Sequence, residues 1–351
     1  DLRNYFNIQS YRPTPFWDVN VAQPAVWGRV VRPTYRVAKH LLIRLALLLR
    51  ISPNLFYKRS LSNYTYLATR LRNRAEISLL EKIAAIRTIG GRFVRFEEVD
   101  AVFLRLEKEL GIKRWYGGKT EMAVDLASVL DLPDRVKINA EPFTIATLAC
   151  GQYQHPFASP VPGDVCVDFG AYEGETSLFM AAKVGPSGRV YAAEFVPEQL
   201  RILNDNLRDN PVLGERVRVL PHPFWSESGK EIFVTGTAGT AKVSFARHSA
   251  TDNCFRTIRL DDAVQQYKIN KIDFLKFDVE GAELPILKGA VKTLKEFKPK
   301  LAVSLYHCDS DFDAIPRFLD SLQCGYEFHL GHYSTGRSET VLYAAVLKEG
   351  Q

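Results

Sequence analysis

Residues 165–176 read Val165-Cys166-Val167-Asp168-Phe169-Gly170-Ala171-Tyr172-Glu173-Gly174-Glu175-Thr176. A short apolar run ends in an acid, and a glycine turn leads into helix-forming residues. Glycine adopts backbone conformations that other residues resist, so such a turn lets the chain pass close to a ligand. The helix that follows offers free N–H groups at its start. In open sheets of parallel strands, ligands bind at the carboxyl ends of the strands, beside turns of this kind.

Working outward, short apolar runs recur at 190–195, 217–220, 274–277 and 301–306. Helical patterns are read at 175–184, 197–209, 282–296 and 311–322. That alternation predicts a parallel sheet with crossover helices. Two further strands, near 326–330 and 340–347, have no helix between them and are expected to pair antiparallel. The fold class is therefore α/β, a Rossmann-like sheet with an antiparallel last strand, preceded by a mainly helical N-terminal part. Three segments are expected: a basic arm and amphipathic helix (1–54), a helical accessory domain (55–140) and the sheet domain (141–351). Within 55–140, Val99, Val102, Phe103, Leu106 and Leu110 repeat at helical spacing up to Gly111. Gly90-Gly91 marks a break before that helix.

Charge is uneven along the chain. Residues 1–74 hold 13 Lys/Arg against two acids, Asp1 and Asp18, a net +11; the remainder holds 33 against 38, a net −5. Prolines at 13, 15 and 24 oppose a helix through the arm, and one is expected from Pro33 to Arg50. Its apolar run is far short of the roughly 18–20 residues needed to span a bilayer. A basic amphipathic helix fits a membrane surface or a protein partner. The net-acidic sheet domain argues against nucleic acid. The five cysteines show no Cys-x-x-Cys pair, which argues against a zinc site or disulfide framework. A reducing, cytoplasmic location follows, peripheral to a membrane if the arm meets lipid.

Candidate site residues cluster at strand ends. Gly170, Ala171, Gly174 and Thr176 form the turn beside Asp168. Glu194 ends the second strand, where a carboxylate can accept the ribose hydroxyls of an adenosine. Phe195 follows it. An acid at Asp168 would repel a pyrophosphate but suits the cationic methionyl ammonium and sulfonium of S-adenosylmethionine. Asp278 and Glu280, in Lys276-Phe277-Asp278-Val279-Glu280-Gly281-Ala282-Glu283, reach the same edge of the sheet. These acids also suit a helix start, which explains Glu283 equally well. No complete metal ligand set is read there. His307 ends the fifth strand, where a neutral imidazole could take a proton from a hydroxyl. The catalytic candidates are thus His307, Asp278 and Glu280. Asp278 also counts among the cofactor contacts. His332 and Tyr333 are placed near an acceptor pocket, and Trp225 in core packing or on adenine.

Taken together and in this order, these blocks resemble the FkbM-type methyltransferases. The resemblance rests on Val167-Asp168-Phe169-Gly170-Ala171, Gly174-Glu175-Thr176, Gly188-Arg189-Val190-Tyr191-Ala192-Ala193-Glu194, Leu260-Asp261-Asp262, and the block from Lys276 to Glu283 with Leu287, Gly289 and Ala290. Tyr306-His307 and Glu339-Thr340-Val341-Leu342-Tyr343 extend it, over about 141–350. The resemblance implies S-adenosylmethionine as cofactor and O-methylation of a hydroxyl on a sugar, glycolipid or secondary metabolite. One departure is Phe195-Val196-Pro197, where the family often has proline directly after the acid. The competing expectation is a non-catalytic subunit that keeps the fold as a scaffold within a larger, membrane-associated complex.

Overall fold

A computed structural model describes residues 54–89, 94–112, 122–235, 242–247, 249 and 253–346. The basic arm, the helix expected at 33–50 and the Gly90-Gly91 break lie outside the described residues. Three helices come first: α1 (Asn54–Arg70), α2 (Arg74–Ile89) and α3 (Glu97–Leu110). A hairpin of β1 (Met122–Asp125) and β2 (Lys137–Ala140) follows, then α4 (Pro142–Ala149). The alternating part contains β3 (Val165–Phe169), α5 (Glu175–Val184), β4 (Arg189–Ala193), α6 (Pro197–Asp209), the short α7 (Pro211–Gly214) and β5 (Val217–Leu220). Next come β6 (Glu231–Thr235), β7 (Lys242–Ser244), β8 (Asn253–Arg256), α8 (Leu260–Gln266) and β9 (Phe274–Phe277). The last elements are α9 (Glu283–Lys288), α10 (Val291–Phe297), β10 (Lys300–Ser304), α11 (Asp311–Ser321), β11 (Tyr326–His332) and β12 (Thr340–Val346).

Seven strands form the main sheet in the order β11-β12-β10-β9-β3-β4-β5. The strands from β10 to β5 are parallel, and β12 runs antiparallel to both β10 and β11. The chain moves outward from β3 through β4 to β5, then returns to β9 on the other side. The order therefore reverses between β3 and β9, and that crevice is where open α/β sheets hold ligands.

Both faces of the sheet are covered, as a mainly parallel sheet requires. Because side chains alternate along each strand, neighbouring residues enter opposite cores. Val167, Phe169, Leu275 and Phe277 join one hydrophobic cluster, while Cys166, Val190, Phe274 and Tyr343 join another with α5 and the β1-β2 hairpin. The first cluster also takes in Tyr64, Leu67, Ile83, Phe103 and Leu106 of α1–α3. Fully burying one such leucine stabilises the fold by about 1.5–3 kcal/mol. In α3 the buried residues Val99, Phe103 and Leu106 share one face, acids occupy the first turn, and left-handed Gly111 (φ 66°) stops it.

Helices α1 and α2 close the open edge of the sheet. Leu71 makes an isolated bridge to Phe328 of β11, and Arg70 clamps Asp320 of α11 through two bonds of 2.8 and 2.9 Å. Covering an edge strand removes a template for unwanted pairing.

Three local features differ from the sequence expectation. The 55–140 region contains the β1-β2 hairpin as well as helices. The helix expected at 282–296 is two helices, broken at Gly289, where a Cβ would meet the Trp225 carbonyl oxygen at 2.2 Å. A three-stranded antiparallel sheet, β7-β6-β8, stands apart from the main one.

Candidate active site

The carboxyl ends of β3, β4, β9 and β10 bring the candidate residues to one edge. In the β3-β9 pairing Asp168 lies beside Lys276, so both side chains enter the same interior. The Lys276 ammonium sits 2.9 Å from Asp168 Oδ1 and donates to the Gly170 carbonyl at 2.8 Å. Asp168 Oδ2 accepts from the Thr176 and Ser177 hydroxyls, each at 2.6 Å. Burial alone would lower the Lys276 pKa, but the Asp168 and Asp278 carboxylates outweigh it and raise it. Asp168 and Thr176 are buried and already partnered, so they brace the turn from beneath. Asp168, expected to suit a cationic ligand, is thus paired with Lys276 within the chain.

The glycine turn is built by close approach. A Cβ on Gly170 (φ 77°) would lie 1.9 Å from the Asp278 carbonyl oxygen, and one on Gly174 (φ 92°) would strike Leu203. The Gly170 and Ala171 N–H groups both donate to the Ala193 carbonyl. The turn thus ties β3, β4 and β9 together.

Glu194 follows β4 with little exposure. Its Oε1 accepts from the Phe195 and Val196 N–H groups at 2.7 and 2.8 Å, and Oε2 from Tyr172 N–H at 3.2 Å. Burial raises its pKa, and those backbone bonds oppose the rise. Phe195 packs edge-on against Phe255 of β8, so the small sheet flanks this corner. Trp225 is half-buried and packs against Phe245, the packing role of its two expected ones.

Asp278 sits where β9 ends. Its Oδ1 accepts from the Tyr306 hydroxyl at 2.8 Å and its Oδ2 from Tyr153 at 3.0 Å. Gln152 donates to both the Tyr153 hydroxyl and Glu339 Oε2. Burial and the nearby Asp278 charge raise the pKa of Glu339.

His307 follows β10 and faces three acids. Nδ1 lies 2.7 Å from Glu283 Oε1, while Nε2 is 3.7 Å from Asp278 Oδ1 and 3.6 Å from Glu280 Oε2. Burial works to lower its pKa, yet the Glu283 hydrogen bond and the three carboxylates prevail and raise it to about 10. The surrounding carboxylates thus favour the imidazolium over the neutral imidazole expected from the sequence.

Residues 168–328 match the family model described as the methyltransferase FkbM domain. This chain carries an FkbM methyltransferase domain. Among solved structures, methyltransferase FkbM from Methylobacillus flagellatus KT superposes with a TM-score of 0.51 at 19% identity, covering 83% of this chain and 60% of that one. The chain thus spans about three fifths of that protein. Aeropyrum pernix fibrillarin with natively bound S-adenosyl-L-methionine matches at a TM-score of 0.34 and 18% identity, over 53% of this chain and 67% of that one. The O-methyltransferase from Bacillus cereus in complex with SAH matches at 0.35 and 13%, over 72% and 92%. No curated protein matches.

The FkbM domain draws several site groups from outside its matched span. Gln152 and Tyr153 precede it and Glu339 follows it. The sequence reading assigned no role to Tyr153, Gln152 or Lys276. A lysine inside an apolar strand, beside a strand-end acid, was the available signal for the last. His332, expected near an acceptor pocket, lies at the end of β11. It is buried against Phe96, with Nδ1 2.9 Å from Thr340 Oγ1, and burial pushes its pKa down to about 3. Tyr333 accepts a hydrogen bond from the Tyr343 hydroxyl at 2.8 Å. No helix among the described residues is long and apolar enough to cross a membrane.

Proposed function

We propose that this chain transfers the methyl group of S-adenosylmethionine to a hydroxyl oxygen of a sugar, glycolipid or secondary metabolite. The observation that carries the reading is the Glu194 carboxylate, held beside the Gly170-Ala171 turn at the β3-β4 edge. A carboxylate offers about four acceptor sites, and three backbone donors leave room for a ribose hydroxyl. The surplus of acids around Asp278 suits the positive charges of the same ligand.

When bound, S-adenosylmethionine supplies an electrophilic methyl: the acceptor oxygen bonds to its carbon, the C–S bond breaks with its pair left on sulfur, and the hydroxyl proton departs. Asp278 is the base this reading favours, since both its oxygens are aimed by tyrosine hydroxyls and charged His307 is unsuited to the task. His307 instead stabilises negative charge beside the acceptor oxygen. Proximity supplies much of the remaining acceleration.

Calorimetric binding of S-adenosylmethionine to the full chain and to Glu194→Ala tests the reading. Losing a charged acceptor costs about 1.5–3 kcal/mol, so affinity should fall roughly 10–100-fold. Absence of binding to the folded wild type would sink it.

A further inference from the structure

His307 is held in the geometry of a metal ligand. Its Nδ1 is anchored at 2.7 Å by Glu283 Oε1. Glu283 is fully buried and itself fixed by the Val279 N–H at 3.0 Å. That anchoring aims Nε2 at Asp278 and Glu280. Nε2 is buried and has no hydrogen-bond partner among the described residues, and the His307 side chain is only 7% exposed. Its neighbours, Asp278 Oδ1 at 3.7 Å and Glu280 Oε2 at 3.6 Å, are too far for hydrogen bonds.

We propose that His307, Asp278 and Glu280 bind a divalent cation of the Mn²⁺ class, which displaces the proton from Nε2, with Glu283 orienting the imidazole from behind; its catalytic use rests on the methyltransferase reading. A carboxylate on one imidazole nitrogen with a metal on the other is a recurring arrangement. Bonds of about 2.1–2.3 Å place adjacent ligand atoms roughly 3 Å apart, so each acid has to close on Nε2 by about half an ångström. Glu280 can supply that movement. Its side chain is 69% exposed, at a backbone position that is left-handed (φ 54°) beside Gly281 (φ 97°).

Charge points the same way. Asp278, Glu280 and Glu283 surround one imidazole, and buried Glu283 Oε2 has no partner among the described residues. One imidazole with two carboxylates mixes the preferences of transition metals with those of Mg²⁺ and Mn²⁺, which favours Mn²⁺. A six-coordinate ion keeps positions for water or for an acceptor with two adjacent oxygens, such as a vicinal diol. The alternative occupant of the gap is a proton on Nε2.

Mn²⁺ titrated into the full chain without S-adenosylmethionine, followed by the electron paramagnetic resonance of the free ion, tests the site. The expected result is one ion per chain in the micromolar range. Binding should weaken roughly 10–100-fold in Glu280→Gln and in His307→Gln. The exposed Glu280 makes the first variant safe for the fold, and a thermal melt verifies both. No binding at millimolar Mn²⁺, or binding that neither variant changes, overturns the site and assigns the gap to a proton. Mn²⁺ bound by a chain that does not bind S-adenosylmethionine supports the site while sinking the methyltransferase reading. The reverse result sinks only the site.

Discussion

Two acids end neighbouring strands of the same sheet, and their surroundings are opposite. Asp168, near the end of β3, is paired with Lys276 and capped by two hydroxyls. Asp278, one strand away, is held by tyrosine hydroxyls and shares a single histidine with Glu280 and Glu283. The first acid is compensated within the chain. The second belongs to a group with more negative charge than the chain balances. Strand-end position alone therefore does not make an acid a ligand contact; the local charge balance separates the acid that braces the turn from the acid that is free to act.

The sharpest way to break this contrast is Lys276→Met. It would leave Asp168 charged and unpaired in the interior, at a cost of about 3–5 kcal/mol, read from urea unfolding. A loss below 1 kcal/mol would mean the pair does not hold the turn.

A second histidine at the same edge offers the next test. Burial holds His332 neutral, with its pKa pushed down to about 3. The unfolded chain takes up that proton near pH 6.5. A depressed folded value means the contribution is present above about 6.5 and lost as pH falls toward 3. Going from pH 7 to 5 should therefore cost on the order of 2 kcal/mol through this residue. His332→Gln should flatten that part of the profile, and an unchanged slope would refute the assignment.

Asp278→Asn should move stability by no more than about 1 kcal/mol, and upward if the excess charge is real, because function-bearing acids are commonly kept at a cost in stability. Turnover should fall roughly 10²–10⁴-fold if Asp278 is the base. A stability loss as large as that of Lys276→Met would erase the distinction between the two acids. Arg70→Ala at the covered edge sets the floor. Its pair with Asp320 is partly exposed, and the expected loss is below about 1 kcal/mol.

Much of this was legible in the sequence. Strand ends marked by Asp168, Glu194, Asp278 and His307 follow from apolar runs that stop at polar residues. The parallel order and the antiparallel last pair follow from where helices intervene. Partnership was not legible. Asp168 and Lys276 are 108 positions apart, and only strand register places them side by side. Tyr153 meets Asp278 across 125 positions, and Gln152 meets Glu339 across 187. The charge state of His307 depends on three acids converging, which periodicity does not encode. The β6-β7-β8 sheet was missed because its short strands pair with one another, outside the alternation that revealed the main sheet.

The position of β12 has a consequence for the nascent chain. This strand follows β11 in sequence yet lies between β10 and β11. On the ribosome, β10 and β11 emerge before the segment that joins them. Helices α1 and α2 emerge earlier still, some 250 residues ahead of Asp320 and Tyr326, which receive Arg70. At about 5–20 residues per second, that interval is roughly 12–50 s. For that time Leu67 and Ile83 lack the surface that buries them in the finished fold. Helices α1 and α2 therefore wait longest, among the elements that meet α11 and β11, for the partners that cover them.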